Sequence, residues 1–463
     1  MPPMFESFRT VVTAIRLILP LAALLGGATA DGRPEQSPAE WKAGAARIVI
    51  TPAEPIRMAG FEFRTHPSEG VRQDIYVKAL VLQDETGKIC VLVTADLADI
   101  ERDVWDAVAK RCEKQFGLAR DRLVLNESHS HSGPIVTLLR APPAYELSPA
   151  EEAVVHRYTA GFIDKSVDAV AQAIRRLAPA TLEFGQGLAG IAVNRRRLPT
   201  FCGVPGGPVD QDVPVLGVKD AGGTFLAIVA GYACHPSVFL DAQISGDWPG
   251  YAQEEIEKAH RPAIAFFVQG CGGDSFAVPR QSVELAKIYG RKLAVAVEQV
   301  LSSKMTPLSG PIRTAFERVD IPFQKPPSRQ ELLKMRSSAD PIARRHAERL
   351  LQRLDRDGTL IDRYPYPVQV WRFGRDLTFI ALGGEAVVDY ARRLKAGHGW
   401  DTTWVAAYSN DNFAYIPSLR VLNEGGYEGG DAMSDTDLPG PFGAAVEEII
   451  IERVNNLVQQ TER

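Results

Sequence analysis

Apolar runs short enough for buried strands alternate along this chain with segments of helical periodicity, and this alternation narrows the fold more than any other feature. Strand-like runs cover residues 47–50, 77–82, 89–94, 122–125, 215–218, 225–232, 263–268, 368–373 and 377–382. Helix-like segments cover 100–115, 149–177, 251–260, 283–301, 329–354, 387–395 and 444–459. Such a mixture predicts an α/β protein with mixed β-sheets flanked by helices. The 463 residues allow two or three domains by length alone. No internal repeat or low-complexity linker follows residue 40, so a single domain over 31–463 is expected. The charged, amphipathic stretch 329–354 reads as a solvated surface helix, and 201–209, rich in Gly and Pro, as a loop.

Composition excludes some functions. A net charge of -5, with no long basic run or basic-aromatic stripe, gives no reason to expect nucleic acid as a partner. At the N-terminus, Arg9 and Arg16 precede the apolar run 17–25, and Ala28-Thr29-Ala30 fits a small-residue cleavage site. This predicts a secretory signal peptide over 1–30, cleaved after Ala30, and hence a secreted or periplasmic protein. The alternative is a short membrane anchor, but the run is too short for a comfortable span. No other segment is expected to form a stable transmembrane span. The cysteines are Cys90, Cys112, Cys202, Cys234 and Cys271, none in CxxC spacing, which excludes a four-cysteine zinc site. Their number is odd and their pairing stays open. Cys90, inside an apolar run, reads as buried.

Two of the eight histidines, His129 and His131, stand one residue apart in Asn126-Glu127-Ser128-His129-Ser130-His131-Ser132-Gly133-Pro134. The residues before them read as the end of a buried strand. Positions i and i+2 of a strand share a face, so the spacing aims both imidazoles at one centre. Paired imidazoles suit zinc. The plainer alternative is a polar strand end with two hydrogen-bonded histidines. Other polar residues also follow strand-like runs, as a site on a sheet rim requires. His235-Pro236 follows 225–234, Gln269-Gly270-Cys271-Gly272-Gly273-Asp274-Ser275 follows 263–268, and Gly383-Gly384-Glu385 follows 377–382. Alone, His235 reads as a structural histidine and Glu385 as a carboxylate in a helix's first turn. Together they add a third imidazole and a carboxylate to the pair, which makes a zinc site reasonable.

From about residue 44 to 431 the chain resembles the catalytic domain of the neutral/alkaline, non-lysosomal ceramidase family. The resemblance runs through the Gly60 region, Gly70-Val71, the strand 77–82, Asp96 and His129-Ser130-His131-Ser132-Gly133-Pro134. It continues through Asn194-Arg195, His235-Pro236, Ser245-Gly246-Asp247, Gly250-Tyr251-Ala252, Gly384-Glu385 and the segment 415–429. It implies a ceramidase-type catalytic domain with zinc held by His129, His235, Glu385 and Tyr415. Tyr427, twelve positions after Tyr415 and in a Tyr-Glu-Gly context, matches a second family tyrosine. Within that frame Zn²⁺ acts as Lewis acid and lowers the pKa of a water. His131 is then the proton shuttle. Arg195 and Tyr427 hold the oxyanion or the substrate's polar head, although Arg195-Arg196-Arg197 also reads as a basic surface turn. Asp96 and Asp247 are expected to fix the tautomer of an imidazole.

Two departures from the family matter. Where the family carries Gly-Asp-x-Ser-Pro, with a serine proposed as nucleophile, this chain has Gly273-Asp274-Ser275-Phe276-Ala277. The serine is one position early, which favours attack by zinc-activated water and leaves Ser275 a secondary candidate. The family also continues into a C-terminal β-sandwich-like domain, whereas here an amphipathic helix over 444–459 is expected after Tyr427. This leaves the substrate open. The leading expectation is a secreted zinc-dependent hydrolase that cleaves the amide of an N-acyl lipid, ceramide to sphingosine and fatty acid. Its partner would be a lipid or other small-molecule substrate, with room for peripheral contact with a membrane. A second expectation is a hydrolase of the same fold acting on another ester or amide, glycan- or peptidoglycan-linked. A third is a non-catalytic exported module that binds lipid or sugar.

Overall fold

The computed structural model describes residues 41–197 and 206–462, all within one compact unit, Pro38–Arg463. The expected signal peptide, Cys202 and part of the 201–209 loop lie outside the described residues. Two sheets face each other. The larger has, in spatial order, Ile264–Gln269, Phe225–Tyr232, Asp212–Asp220, Ala178–Leu188, Trp41–Val49, Tyr76–Gln83, Ile89–Ala95 and Leu123–Glu127, with Thr306–Pro307 also pairing to Ala178–Leu188. The outermost pairs at both ends are parallel and the central ones antiparallel. The smaller sheet has the order Ile312–Pro322, Arg363–Phe373, Leu377–Leu382, Thr403–Ala406.

Period-2 alternation sorts side chains between layers. Leu80, Leu92 and Val229 of the large sheet meet Trp371, Phe379 and Trp404 of the small one. On the other face of the large sheet, Val77, Val81 and Val91 pack on helices Arg102–Phe116 and Pro149–Arg175 through Trp105, Phe162 and Val170. Farther along that face, Val215 and Ala230 pack on helices Asp247–Ala259 and Val283–Leu301 through Trp248, Leu293 and Val297. Helices Val388–His398 and Val446–Glu462 cover the small sheet, with Tyr390, Val454 and Leu457 over Val368 and Ile380. Each fully buried large side chain contributes about 1.5–3 kcal/mol, so the four-layer stack is held mainly by these faces.

Some elements differ from expectation. The helix expected over 329–354 is two helices, Arg329–Met335 and Pro341–Asp357. Pro341 begins the second, where its missing N–H costs nothing, and Asp340 caps it by accepting from Ile342 N at 2.9 Å. Strands Ala178–Leu188 and Ile312–Pro322 were not expected. Gly185 and Gly187 dilute the apolar pattern of the first, and Arg313, Glu317 and Arg318 that of the second. Among the described residues no helix is long and apolar enough to cross a membrane.

The site depends on how the large sheet curls. Backbone N–H of Gln269, on one outermost strand, donates to Asn126 Oδ1 on the other at 3.1 Å. The C-terminal ends of Leu123–Glu127 and Ile264–Gln269 therefore meet, and the segments that leave them share one rim. This is where parallel strands in α/β sheets place ligands.

Candidate metal centre

The strand Leu123–Glu127 stops short of both histidines. His129 has φ 63°, in the left-handed region, so strand alternation is not what pairs the imidazoles. A turn does this instead, and His131 Nε2 still lies 3.1 Å from His129 Nε2. Gly60, at φ 91°, makes room: a Cβ there would lie 2.4 Å from His131 Cγ. His129 is oriented from behind by Glu127, whose Oε1 is 3.4 Å from His129 Nδ1. Glu127 is itself fixed by Asp99 N at 2.9 Å, Ile100 N at 2.7 Å and Asn412 Nδ2 at 2.6 Å.

His235 follows the strand Phe225–Tyr232 and is fully buried. Its Nδ1 donates to Gly272 O at 2.8 Å and Ser275 O at 3.1 Å, which leaves a lone pair on Nε2. That Nε2 faces Glu385 Oε2 at 3.0 Å and Tyr415 Oη at 3.3 Å. Glu385 Oε2 also lies 3.2 Å from His129 Nε2 and accepts from Tyr408 Oη at 3.3 Å. Glu385 and Tyr415 are register partners in a two-residue parallel ladder, which is how distant segments arrive side by side. Gly384, at φ 62°, permits the turn before it, because a Cβ would lie 2.7 Å from Ala414 O.

These atoms form a converging donor set. His129 and His235 each commit Nδ1 to an acceptor and turn Nε2 toward one carboxylate oxygen. Facing acceptors need a cation or a proton between them. A tetrahedron with zinc–ligand arms of about 2.0–2.1 Å has edges of roughly 3.3–3.4 Å. The observed separations of 3.0 to 3.3 Å approach that spacing. The residues present therefore fit a small divalent cation. His129, His131 and His235 also lie close enough to share one ion, so proximity alone does not separate His131 from the other two. The proton affinities split across the site. Burial pulls His129 down, yet Glu385, Glu127 and Asp99 outweigh it and hold its pKa up at about 10. Burial opposes ionisation of Glu385, but His129 and His235 hold its carboxyl well below the usual range. Burial, then the neighbouring His129 and His235, push His131 well below the imidazole value. Burial and Arg195 lower His235 to about 4.

Arg195 reaches the same centre. Its Nε donates to Glu428 Oε1 at 2.5 Å, and its guanidinium lies 5.3 Å from the Tyr415 ring centroid and 5.8 Å from that of Tyr427. Its Nη2 is buried without a partner. Arg196 binds the other Glu428 oxygen at 2.5 Å, so Arg195 and Arg196 together clamp Glu428. Tyr427 is 48% exposed, stands at the mouth with its ring 5.3 Å from that of Tyr415, and donates to Asp435 Oδ2 at 2.9 Å. A cavity opens here between His129, His131, Glu385 and Tyr415 on one side and Gly60 and Tyr145 on another.

Other expected residues are elsewhere. Ser275 Oγ donates to Ala233 O at 3.0 Å and does not line the cavity; its backbone carbonyl is what touches the site, through His235. Asp96 touches no imidazole: it accepts from Tyr76 N at 2.9 Å and Gln253 Nε2 at 3.1 Å. Asp247 accepts from Val238 N, Phe239 N and Trp248 N, and so braces the loop after His235 without reaching a ring. Both carboxylates satisfy buried backbone amides, a stronger local demand than a distant Nδ1–H. The residues that do orient the imidazoles are Glu127, Gly272 and Ser275, with Asp99 and Asn412 nearby. Glu127 lay inside the histidine motif; nothing local marked the carbonyls.

Residues 41–276 match the family profile described as neutral/alkaline non-lysosomal ceramidase, N-terminal. Glu385, Tyr415 and Tyr427 lie beyond that stretch. The fold is similar to the crystal structure of neutral ceramidase from Pseudomonas aeruginosa, with a TM-score of 0.71 and 19% identity over 92% of this chain and 75% of that one. It is also similar to a structure described as ceramidase complexed with C2, with a TM-score of 0.70 and 18% identity over 92% of this chain and 76% of the other. No curated protein matches the chain in sequence.

Proposed function

Because the chain belongs to the neutral/alkaline non-lysosomal ceramidase family, we propose that it is an exported zinc-dependent hydrolase that uses water to cleave the amide of an N-acyl lipid of the ceramide kind. The observation that carries the metal reading is the convergence of His129 Nε2 and His235 Nε2 on Glu385 Oε2, at 3.2 and 3.0 Å, with both Nδ1 atoms committed elsewhere. His129, His235, Glu385 and Tyr415 would hold the ion. Zinc there supplies a Lewis acid for the carbonyl and lowers the pKa of a water.

The chain's own residues divide the remaining work. His131 carries the proton, taking it from water and giving it to the leaving nitrogen. Ligating histidines nearly always donate their second ring nitrogen to an acceptor. His131 Nδ1 has no partner, unlike those of His129 and His235, and this favours the shuttle role over ligation. The unpartnered Nη2 of Arg195 donates to the carbonyl oxygen as charge develops on it, joined by the Tyr427 hydroxyl once its proton turns from Asp435. Ser275 Oγ is bonded to Ala233 O, which supports attack by water rather than by serine.

Metal analysis and an N-acyl-sphingosine assay test the proposal together. One zinc per chain and release of sphingosine are expected. Protein without stoichiometric zinc, and indifferent to His129→Ala, would reject it. We extend the reading to a single hydrolase domain over 31–463 and a leader over 1–30. A mature N-terminus at Asp31 is the expected result, and Met1 on the exported protein would reject it.

A further inference from the structure

Arg64 is a buried cation whose guanidinium hydrogen bonds all go to carbonyls. It is 3% exposed. Among the described residues no carboxylate forms an ion pair with it. The guanidinium instead donates to His131 O, to Ala59 O at 3.2 Å, and to Phe239 O and Leu240 O at 3.4 Å each. Burial lowers its pKa only to about 10, so it keeps its charge at neutral pH. A cation taken out of water without a carboxylate costs stability. A methionine would fill the space without that cost, but it could not bond separate stretches of backbone to one another.

Those stretches carry the site. Ala59 precedes Gly60, which lies against the His131 ring. Phe239 and Leu240 belong to the loop after His235, and Pro236 O of that loop accepts from His131 N at 3.1 Å. His131 therefore reaches the His235 loop twice, directly through its N–H and through the Arg64 guanidinium from its C=O. The imidazole is held as well. The Arg64 guanidinium lies 4.8 Å from the Phe61 ring centroid. Phe61 in turn packs edge-on against the His131 ring at 4.7 Å, so one ring links the cation to the imidazole. We infer that Arg64 is a positioning residue: through the His131 carbonyl and the Phe61 ring it sets where the His131 imidazole stands relative to His235. The inference rests on the proposed function for the role of His131 as proton carrier. A proton passes only over hydrogen-bond distance, and a misplacement of about 1 Å is enough to slow turnover about 10²-fold.

Arg64→Met and Arg64→Lys in the full zinc-loaded chain test this, with N-acyl-sphingosine as substrate and a crystal structure of each variant. In Arg64→Met, kcat is expected to fall about 10–100-fold, with KM and zinc content unchanged. The His131 ring should leave the 3.1 Å contact it makes with His129, while His129 and His235 stay in place. Arg64→Lys keeps the charge and should recover part of kcat. Phe61→Leu leaves the carbonyl bonds intact, removes the linking ring, and should cost several-fold in kcat. An Arg64 that serves stability alone predicts a lower Tm and an unchanged kcat per zinc-loaded chain. That result, an unmoved His131 ring in the Arg64→Met structure, or loss of zinc from both Arg64 variants would overturn the inference. If Arg64→Met does not fold, Arg64→Lys and Phe61→Leu decide, and full kcat in both overturns it. The two proposals fail separately. A parent protein without zinc or sphingosine release rejects the proposed function, and the place of His131 in the variant structures is still read. A parent that hydrolyses no faster than zinc-loaded Arg64→Met rejects this inference alone.

Discussion

His129 and His131 bring their Nε2 atoms within 3.1 Å of each other across a turn, with ring planes 84° apart. The near-perpendicular rings have different supports. His129 backs onto the buried Glu127 carboxylate, while His131 packs edge-on against Phe61 at 4.7 Å and leaves Nδ1 unpaired. A pair equivalent in sequence is therefore not equivalent in its surroundings.

His235→Ala and Glu385→Ala remove groups at the centre of the converging set. Both should abolish stoichiometric zinc, read by metal analysis of the purified protein. Both should lower kcat/KM by on the order of 10³ or more. Full zinc occupancy in either variant would rule out the proposed ligand set.

His131→Gln keeps a polar side chain of similar reach but cannot shuttle a proton. Zinc should stay bound while kcat falls by about 10²–10⁴. The pH–rate profile should lose one limb. Loss of zinc instead would make His131 a ligand.

Glu127→Gln keeps the shape behind His129 and removes the charge. Metal affinity should weaken about 10–100-fold, measured by competition with a chelator, while the fold persists. An unchanged affinity would mean that Asp99 or Asn412 orients the ring.

Ser275→Ala breaks the hydrogen bond to Ala233 O and should cost about 1 kcal/mol of stability. Activity should stay within a few-fold of the parent. A collapse of activity in a folded variant would restore serine as the nucleophile.

Glu101→Gln has a pH signature. Burial, then Asp103 and Asp411, raise this carboxyl to about 8, well above its ordinary value of 4.5. The folded state thus binds the proton more tightly than the unfolded chain. The resulting stability is complete below about pH 4.5 and lost as pH rises through about 8. Glutamine has no proton to lose. The variant should gain on the order of 2 °C in Tm at pH 8 relative to the parent, and the gain should vanish near pH 4.5. Equal Tm at pH 8 would contradict it.

Much of this protein was legible in its sequence. Runs with strong local periodicity became elements at almost the expected bounds, as in Phe225–Tyr232, Val283–Leu301 and Leu377–Leu382. Apolar spacing alone decides which face of such a segment must be buried, whatever it later packs against. The polar motifs after strand ends were legible for the same reason: a chain leaving a buried sheet must turn at its rim, and His129, His235 and Glu385 stand together just past such strand ends. Only the tertiary structure decided what holds each group. Asp96 and Asp247 looked like partners for imidazoles and instead bind backbone amides. Gly272, far along the chain from His235, supplies a carbonyl that no residue identity announces. Side-chain chemistry and spacing are local and can be read directly. The pairing of a ring nitrogen with an acceptor depends on a few ångströms between distant segments, and the curl of the large sheet and the two-residue ladder of Glu385 and Tyr415 set those distances.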